Sequence, residues 1–110
     1  MSLDESHFHA IADNLLHHLV DRVDEAVGET LDVDLHGGVM TVDLASGGSY
    51  IINKHAPNRQ IWLSSPRSGA WHFDYDEASG SWLSSRPPRL SLTSILAQEL
   101  SEATGTAIGL

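Results

Sequence analysis

The sequence has no cysteine. That absence excludes disulfide bridges, thiolate metal sites and a cysteine nucleophile, and it suits a reducing compartment without fixing one. Positive charge is scarce: lysine and arginine together number 6 against 15 aspartates and glutamates, for a net charge of −9. A field of that sign repels nucleic acid and anionic membranes and attracts cations and basic protein surfaces. Nothing approaches the run of about 18 apolar residues that marks a membrane span. The opening MSLDESHFHA is acidic, without the basic and apolar regions of a secretory signal or the arginines of a transit peptide. The expectation is a soluble, cytoplasmic chain forming a single domain over residues 1–110, with room for one core.

The charge is unevenly spread. Asp4, Glu5, Asp13, Asp21, Asp24, Glu25, Glu29, Asp32 and Asp34 fall in the first 34 residues beside a single base, Arg22. The remaining acids and bases nearly balance, so the excess sits at one end of the sequence.

Apolar residues at Phe8, Ile11, Ala12, Leu15, Leu19, Val23 and Ala26 step by threes and fours, which predicts an amphipathic helix from Asp4 to Ala26. Ser2 with Glu5 fits a capping box and Gly28 a stop. The period then changes to two. Strands are predicted at Leu31–His36, Val39–Leu44, Tyr50–Lys54, Arg59–Ser64, Trp71–Tyr75 and Trp82-Leu83, with Gly37-Gly38 as a hairpin signal. Leu92, Ile95, Leu96, Leu100 and Ala103 predict a closing helix, with Ser91 as N-cap and Gly105 as C-cap. Short turns make the sheet antiparallel. Two one-sided helices need one apolar surface, so the expected fold is an α/β (α+β) two-layer sandwich: both helices on one face of about six strands, the other face wet.

Trp62 poses a question within that fold. Ile61 and Leu63 share one side of their strand; Gln60, Trp62 and Ser64 share the other. Two aliphatic residues make the better core face, which puts the tryptophan on the open side. Either a partner covers it, as at interface hot spots, or neighbouring residues do.

The stretch Asn53-Lys54-His55-Ala56-Pro57-Asn58-Arg59-Gln60-Ile61-Trp62-Leu63-Ser64-Ser65-Pro66-Arg67-Ser68-Gly69 closely resembles the central motif of the frataxin family in its bacterial form. Phe8-His9, Gly37-Gly38-Val39, Phe73-Asp74 and Trp82 extend the likeness over nearly the whole chain. The resemblance implies an α–β-sheet–α fold and a role in iron–sulfur cluster assembly. It implies weak iron binding by acids of the first helix and the edge of the first strand. It also implies contact with the cysteine desulfurase and its scaffold protein, modulating the rate of cluster synthesis. Trp62 then belongs to the partner-facing surface, flanked by Asn53 and Gln60.

Fe2+ and Fe3+ accept carboxylate oxygens, with imidazole as an addition. Asp21, Asp24 and Glu25 are neighbours on a helix; Glu29 follows in the loop; Asp32 and Asp34 lie about 7 Å apart on one strand face. This is a strip, suited to weak, exchangeable binding, and Val20, Val27 and Thr30 thin it where a further acid would add charge. Asp4, Glu5 and His9 form a second candidate set, and His17 with Asp21 a candidate pair. The competing reading is a solvated acidic face, and a lone histidine is more often a surface residue than a ligand. Haem is not expected, since no apolar pocket motif accompanies the histidines.

No enzyme pattern is present: the Ser64–Gly69 stretch lacks the lysine and context of a phosphate loop, and no serine stands in a nucleophile elbow. Two functional readings follow. One is an iron-binding regulator of cluster assembly. The other is an interaction module whose Asp24, Glu25, Asp32 and Asp34 dock a basic partner, with iron incidental. A monomer is expected without metal, with iron-dependent association left open.

Overall fold

The computed structural model describes residues 4–110. The first helix, α1, spans Glu5–Val27, and its N-cap is Asp4, whose side chain accepts from the backbone N–H of His7. The expected Ser2 cap lies outside the described residues. The buried stripe is Phe8, Ala12, Leu16, Leu19, Val23 and Val27. Leu16 and Val27 thus replace the expected Leu15 and Ala26: Leu15 is half-buried and Ala26 exposed. Both sets step by threes and fours, and the narrow contact with a flat sheet decides between them. Gly28 ends the helix in a right-handed conformation (φ −60°), and Thr30 turns the chain by donating its backbone N–H and its hydroxyl to the Val27 carbonyl.

Six strands follow: β1 Leu31–His36, β2 Val39–Leu44, β3 Ser49–His55, β4 Gln60–Ser65, β5 Gly69–Asp76 and β6 Ser81–Ser84. They form one antiparallel sheet in sequential order, each strand beside its predecessor. A 3-10 turn, Ala56–Asn58, joins β3 to β4. The closing helix, α2, spans Leu92–Thr104, capped by the Ser91 side chain and by a left-handed Gly105.

Alternation sorts the sheet into two faces. Leu31, Met40, Val42, Tyr50, Ile52, Ile61, Leu63, Trp71, Phe73 and Trp82 turn inward and join both helices in one apolar core. The opposite face is exposed or half-buried throughout, so the two-layer architecture with one open face is as expected. After α2 the chain folds back, burying Ile108 and setting the Gly109 carbonyl 3.3 Å from Arg22 on α1. No helix among the described residues is long and apolar enough to cross a membrane.

Lys54 ties the layers together. Its ammonium reaches Asp13 on α1 at 2.8 Å and His9 Nδ1 at 3.1 Å. Gly38 permits this, because a Cβ there would stand 2.7 Å from Lys54 Cε; its φ of +78° also favours glycine.

Candidate functional site

Asp21, Asp24 and Glu25 on α1, Glu29 in the following turn and Asp32 and Asp34 on β1 are all exposed, whereas Asp13 is half-buried against Lys54. Asp24, Glu25 and Glu29 line one shallow hollow with Thr30 and Thr106 of the returning tail. Glu29 also lines a second hollow with Asp32 and Asp43. Glu29 therefore joins the helix acids to the strand acids. Asp21 lies up the helix and Asp34 further along β1, outside both hollows. Glu25 is paired with Arg22 at 3.3 Å.

Asp43 was not among the expected ligands. The hairpin at Gly37-Gly38 pairs it directly with Asp32 across β1 and β2. Counting outward from the two turn glycines gives that pairing, so the signal was present in the sequence. The Asp43 carboxylate accepts from the Ser49 hydroxyl. Like charges directly opposite on neighbouring strands oppose folding by a few tenths to about 1 kcal/mol. Asp43→Asn keeps an acceptor for Ser49 and removes that repulsion. It is expected to raise stability at low salt by about 0.5 kcal/mol, an advantage that shrinks in high salt. Urea melts at two ionic strengths check this; an equal gain at both would exclude charge relief as the cause.

The second candidate set has other employment. Asp4 caps α1, its Oδ1 2.7 Å from His7 N. His9 turns Nδ1 to the Lys54 ammonium and stands 3.8 Å from Glu5 through Nε2. An internal cation thus already serves His9 and Asp13. His17 turns its Nδ1 to the Asp13 carbonyl at 2.9 Å, not to Asp21. Among the described residues, no three histidine, aspartate or glutamate side chains gather closely enough to hold a metal ion.

Trp62 does lie on the open face, directly opposite Asn53 of β3 and His72 of β5. It is only half-exposed, because both faces of its indole are covered. His55 stacks on one at 3.6 Å between ring centroids and 10° between planes. His72 stacks on the other at 4.2 Å and 11°. Its Nε1–H donates to Gln60 Oε1 at 2.9 Å, and Gln60 donates onward to Asp74 at 3.0 Å. Gln60 therefore fixes the indole edge. Asn53 turns its amide to the Lys54 carbonyl at 3.1 Å. Beside this group on the same face stand Val39 and Ile51, 38% and 41% exposed, which leaves an apolar patch diagonal to the tryptophan. His55, His72, Val39 and Ile51 were absent from the expected site. Their alternation places them outward, but only the cross-strand register brings them beside Trp62.

An open-faced helix–sheet sandwich with an acidic edge and a tryptophan at the centre of its bare face defines a class of small binding proteins. A family model described as a frataxin-like domain matches residues 1–106, and the chain belongs to that family. The iron–sulfur cluster assembly protein CyaY of Pseudomonas fluorescens is 42% identical over 105 residues, covering 96% of this chain and 93% of that protein. Mitochondrial frataxin of Arabidopsis thaliana is 37% identical over 112 residues, 98% of this chain, which spans 59% of the plant protein. Among solved structures, frataxin from Psychromonas ingrahamii superimposes with a TM-score of 0.85 at 23% identity over 97% of each chain, a likeness of fold. Trimeric yeast frataxin complexed with ferrous iron gives 0.74 at 39% identity, over 96% of this chain and 89% of that one.

Proposed function

We propose that this protein is a weak iron-binding regulator of iron–sulfur cluster assembly, acting without catalysis of its own on the cysteine desulfurase and scaffold protein. The observation that carries the reading is a continuity of surface. Asp32 and Asp34 point to the same open sheet face as Trp62, so the metal strip runs into the docking patch. Iron is the cargo. Exposed carboxylates on flexible stems, spread over α1, the turn, β1 and Asp43, hold it loosely and release it readily. A partner with a basic rim would contact Asp24, Glu25, Asp32 and Asp34 while its apolar centre meets Val39, Ile51 and Trp62. Iron and partner then compete for the same oxygens, which makes iron occupancy a control on docking. The relatives' names support this reading: one is an iron–sulfur cluster assembly protein, another a frataxin complexed with ferrous iron.

The second reading is a docking module in which iron is incidental; it is favoured by the cations that already pair with two of the α1 acids, Arg22 with Glu25 and Lys54 with Asp13. An anaerobic heteronuclear NMR titration with Fe2+ at physiological salt, with Mg2+ as control, separates the two. The expected result is selective broadening of residues 21–34 and Asp43 by iron. Iron doing no more than magnesium would leave the ridge as a docking surface alone.

A further inference from the structure

Among the described residues, two buried side-chain atoms lack any hydrogen-bond partner: His55 Nδ1 and Arg59 Nε. They bracket the connection from β3 to β4: His55 is the last residue of β3, and Arg59 closes the four-residue link, residues 56–59, that leads into β4. The same connection holds the one non-glycine residue of the described chain with positive φ, Arg59 at 51°. A buried polar atom without a partner and a left-handed non-glycine residue each cost free energy. The costs of this otherwise well-satisfied fold therefore concentrate where His55 is held against Trp62.

The two covers of the indole differ accordingly. His72 lies within β5, directly opposite Trp62, and its carbonyl accepts from Ser85 N at 2.8 Å. His55 is the last residue of β3 and leads into the 3-10 turn. The indole itself is fixed at its edge by Gln60. A ring with an unpartnered nitrogen, on a strand end that runs into a strained turn, thus lies on a fixed surface.

We infer that His55 is a displaceable cover on Trp62, and that the indole face beneath it receives an arginine guanidinium from a basic partner. The inference deepens the proposed docking of a partner on this face and rests on that reading. When His55 swings into solvent, its Nδ1 gains water as a partner. The vacated site is a flat π surface open on one side, on a chain of net charge −9. Asp74 stands on the same face, held by Gln60, and Asp32, Asp34 and Asp43 occupy the β1–β2 end of it. A planar cation satisfies both features, since it stacks on tryptophan and is drawn by the carboxylates. A lysine ammonium is drawn by the carboxylates and by the ring face, but as a compact, strongly hydrated point charge it cannot cover the indole by planar stacking as the imidazole does.

The probes are an arginine homopeptide and a lysine homopeptide of equal length, titrated into the full chain. At saturation with the arginine peptide, the His55 ring protons should lose the upfield shift imposed by the indole, while those of His72 keep it. The lysine peptide should leave both in place. His55→Ala should raise arginine-peptide affinity about tenfold, the gain expected when the uncovered state is about a tenth of the population, with lysine-peptide affinity unchanged. His72→Ala serves as the comparison and should give no such gain. An unchanged or weakened arginine affinity in His55→Ala, or a His55 ring that stays shifted at saturation, overturns the inference. With the desulfurase–scaffold complex as probe, indifference to Trp62→Leu would overturn the docking reading as well. Sensitivity to Trp62→Leu with indifference to His55→Ala would overturn the cover alone.

Discussion

Trp62→Ala is expected to weaken binding to the proposed partner, the desulfurase–scaffold complex, by at least about 2 kcal/mol, a loss of about thirtyfold, in the range of a central hot spot. The size follows from the geometry. The indole sits in the middle of the open face, with exposed Ile51 diagonal to it, exposed Val39 one strand further on across Asn53, and its N–H already satisfied by Gln60. A partner therefore gains apolar contact without stranding that donor. Most of the loss should appear in the dissociation rate. Neutralising the rim acids, by contrast, should act mainly on the association rate and its salt dependence. Stability should change far less than affinity, because Trp62 is outside the core and the lost contacts are two stacked imidazoles and one part-buried hydrogen bond to Gln60. Surface plasmon resonance at two salt concentrations, with a urea melt of each protein, makes the comparison. Unchanged affinity in a folded Trp62→Ala protein would remove this face from the interface.

The second large effect concerns Glu99, and it acts on stability. This residue of α2 accepts the Tyr50 hydroxyl at 3.0 Å, the Ser65 hydroxyl at 2.6 Å and the Ser68 hydroxyl at 2.6 Å. Ser68 Oγ in turn accepts from Trp71 Nε1 at 2.9 Å. One carboxylate thus attaches the β4–β5 turn to the helix layer. Glu99→Ala leaves the Tyr50 hydroxyl, on a side chain with no exposed surface, without its acceptor. Unsatisfied buried hydroxyls cost about 1–3 kcal/mol each, so a total near 3 kcal/mol is expected, lowering Tm by about 10 °C.

Tyr50 supplies a readout specific to this network. Burial, then the hydrogen bond and negative charge of Glu99, push its phenol up to about 12 from 10.0. The fold holds the neutral phenol better than the phenolate, so this contribution is complete below pH 10 and is lost as pH rises toward 12. In Glu99→Ala the Tyr50 phenolate band should appear at lower pH, and alkaline unfolding should begin earlier. An unmoved titration together with an unmoved Tm would show that Glu99 is not the anchor.

How much of this was legible in the sequence differs from element to element. The period-two runs and the short turns between them specified six antiparallel strands, and the threes and fours in residues 8–26 specified the first helix. The phase of that helix was not legible at Leu15 and Leu16, since either side chain continues the spacing and only packing on the sheet chooses Leu16. The acidic strip was legible as composition and phase. Its missing member, Asp43, needed the register of β1 against β2. The side of the sheet on which Trp62 lies was legible from Ile61 and Leu63. Its half-covered state was not, because the two rings that cover it come from neighbouring strands.

The sequence by itself determined which strand residues face inward, where the chain turns, and that the negative charge gathers at one edge. These depend on local periodicity, on glycine and proline chemistry and on simple counting, all of which act within a few residues. The tertiary structure alone decided that Glu29 bridges two hollows, that Lys54 already occupies Asp13 and His9, and that Trp62 lies between two imidazoles. Those outcomes depend on strand register, sheet twist and rotamer choice among residues distant along the chain, where the distances that govern charge pairing and ring stacking are set.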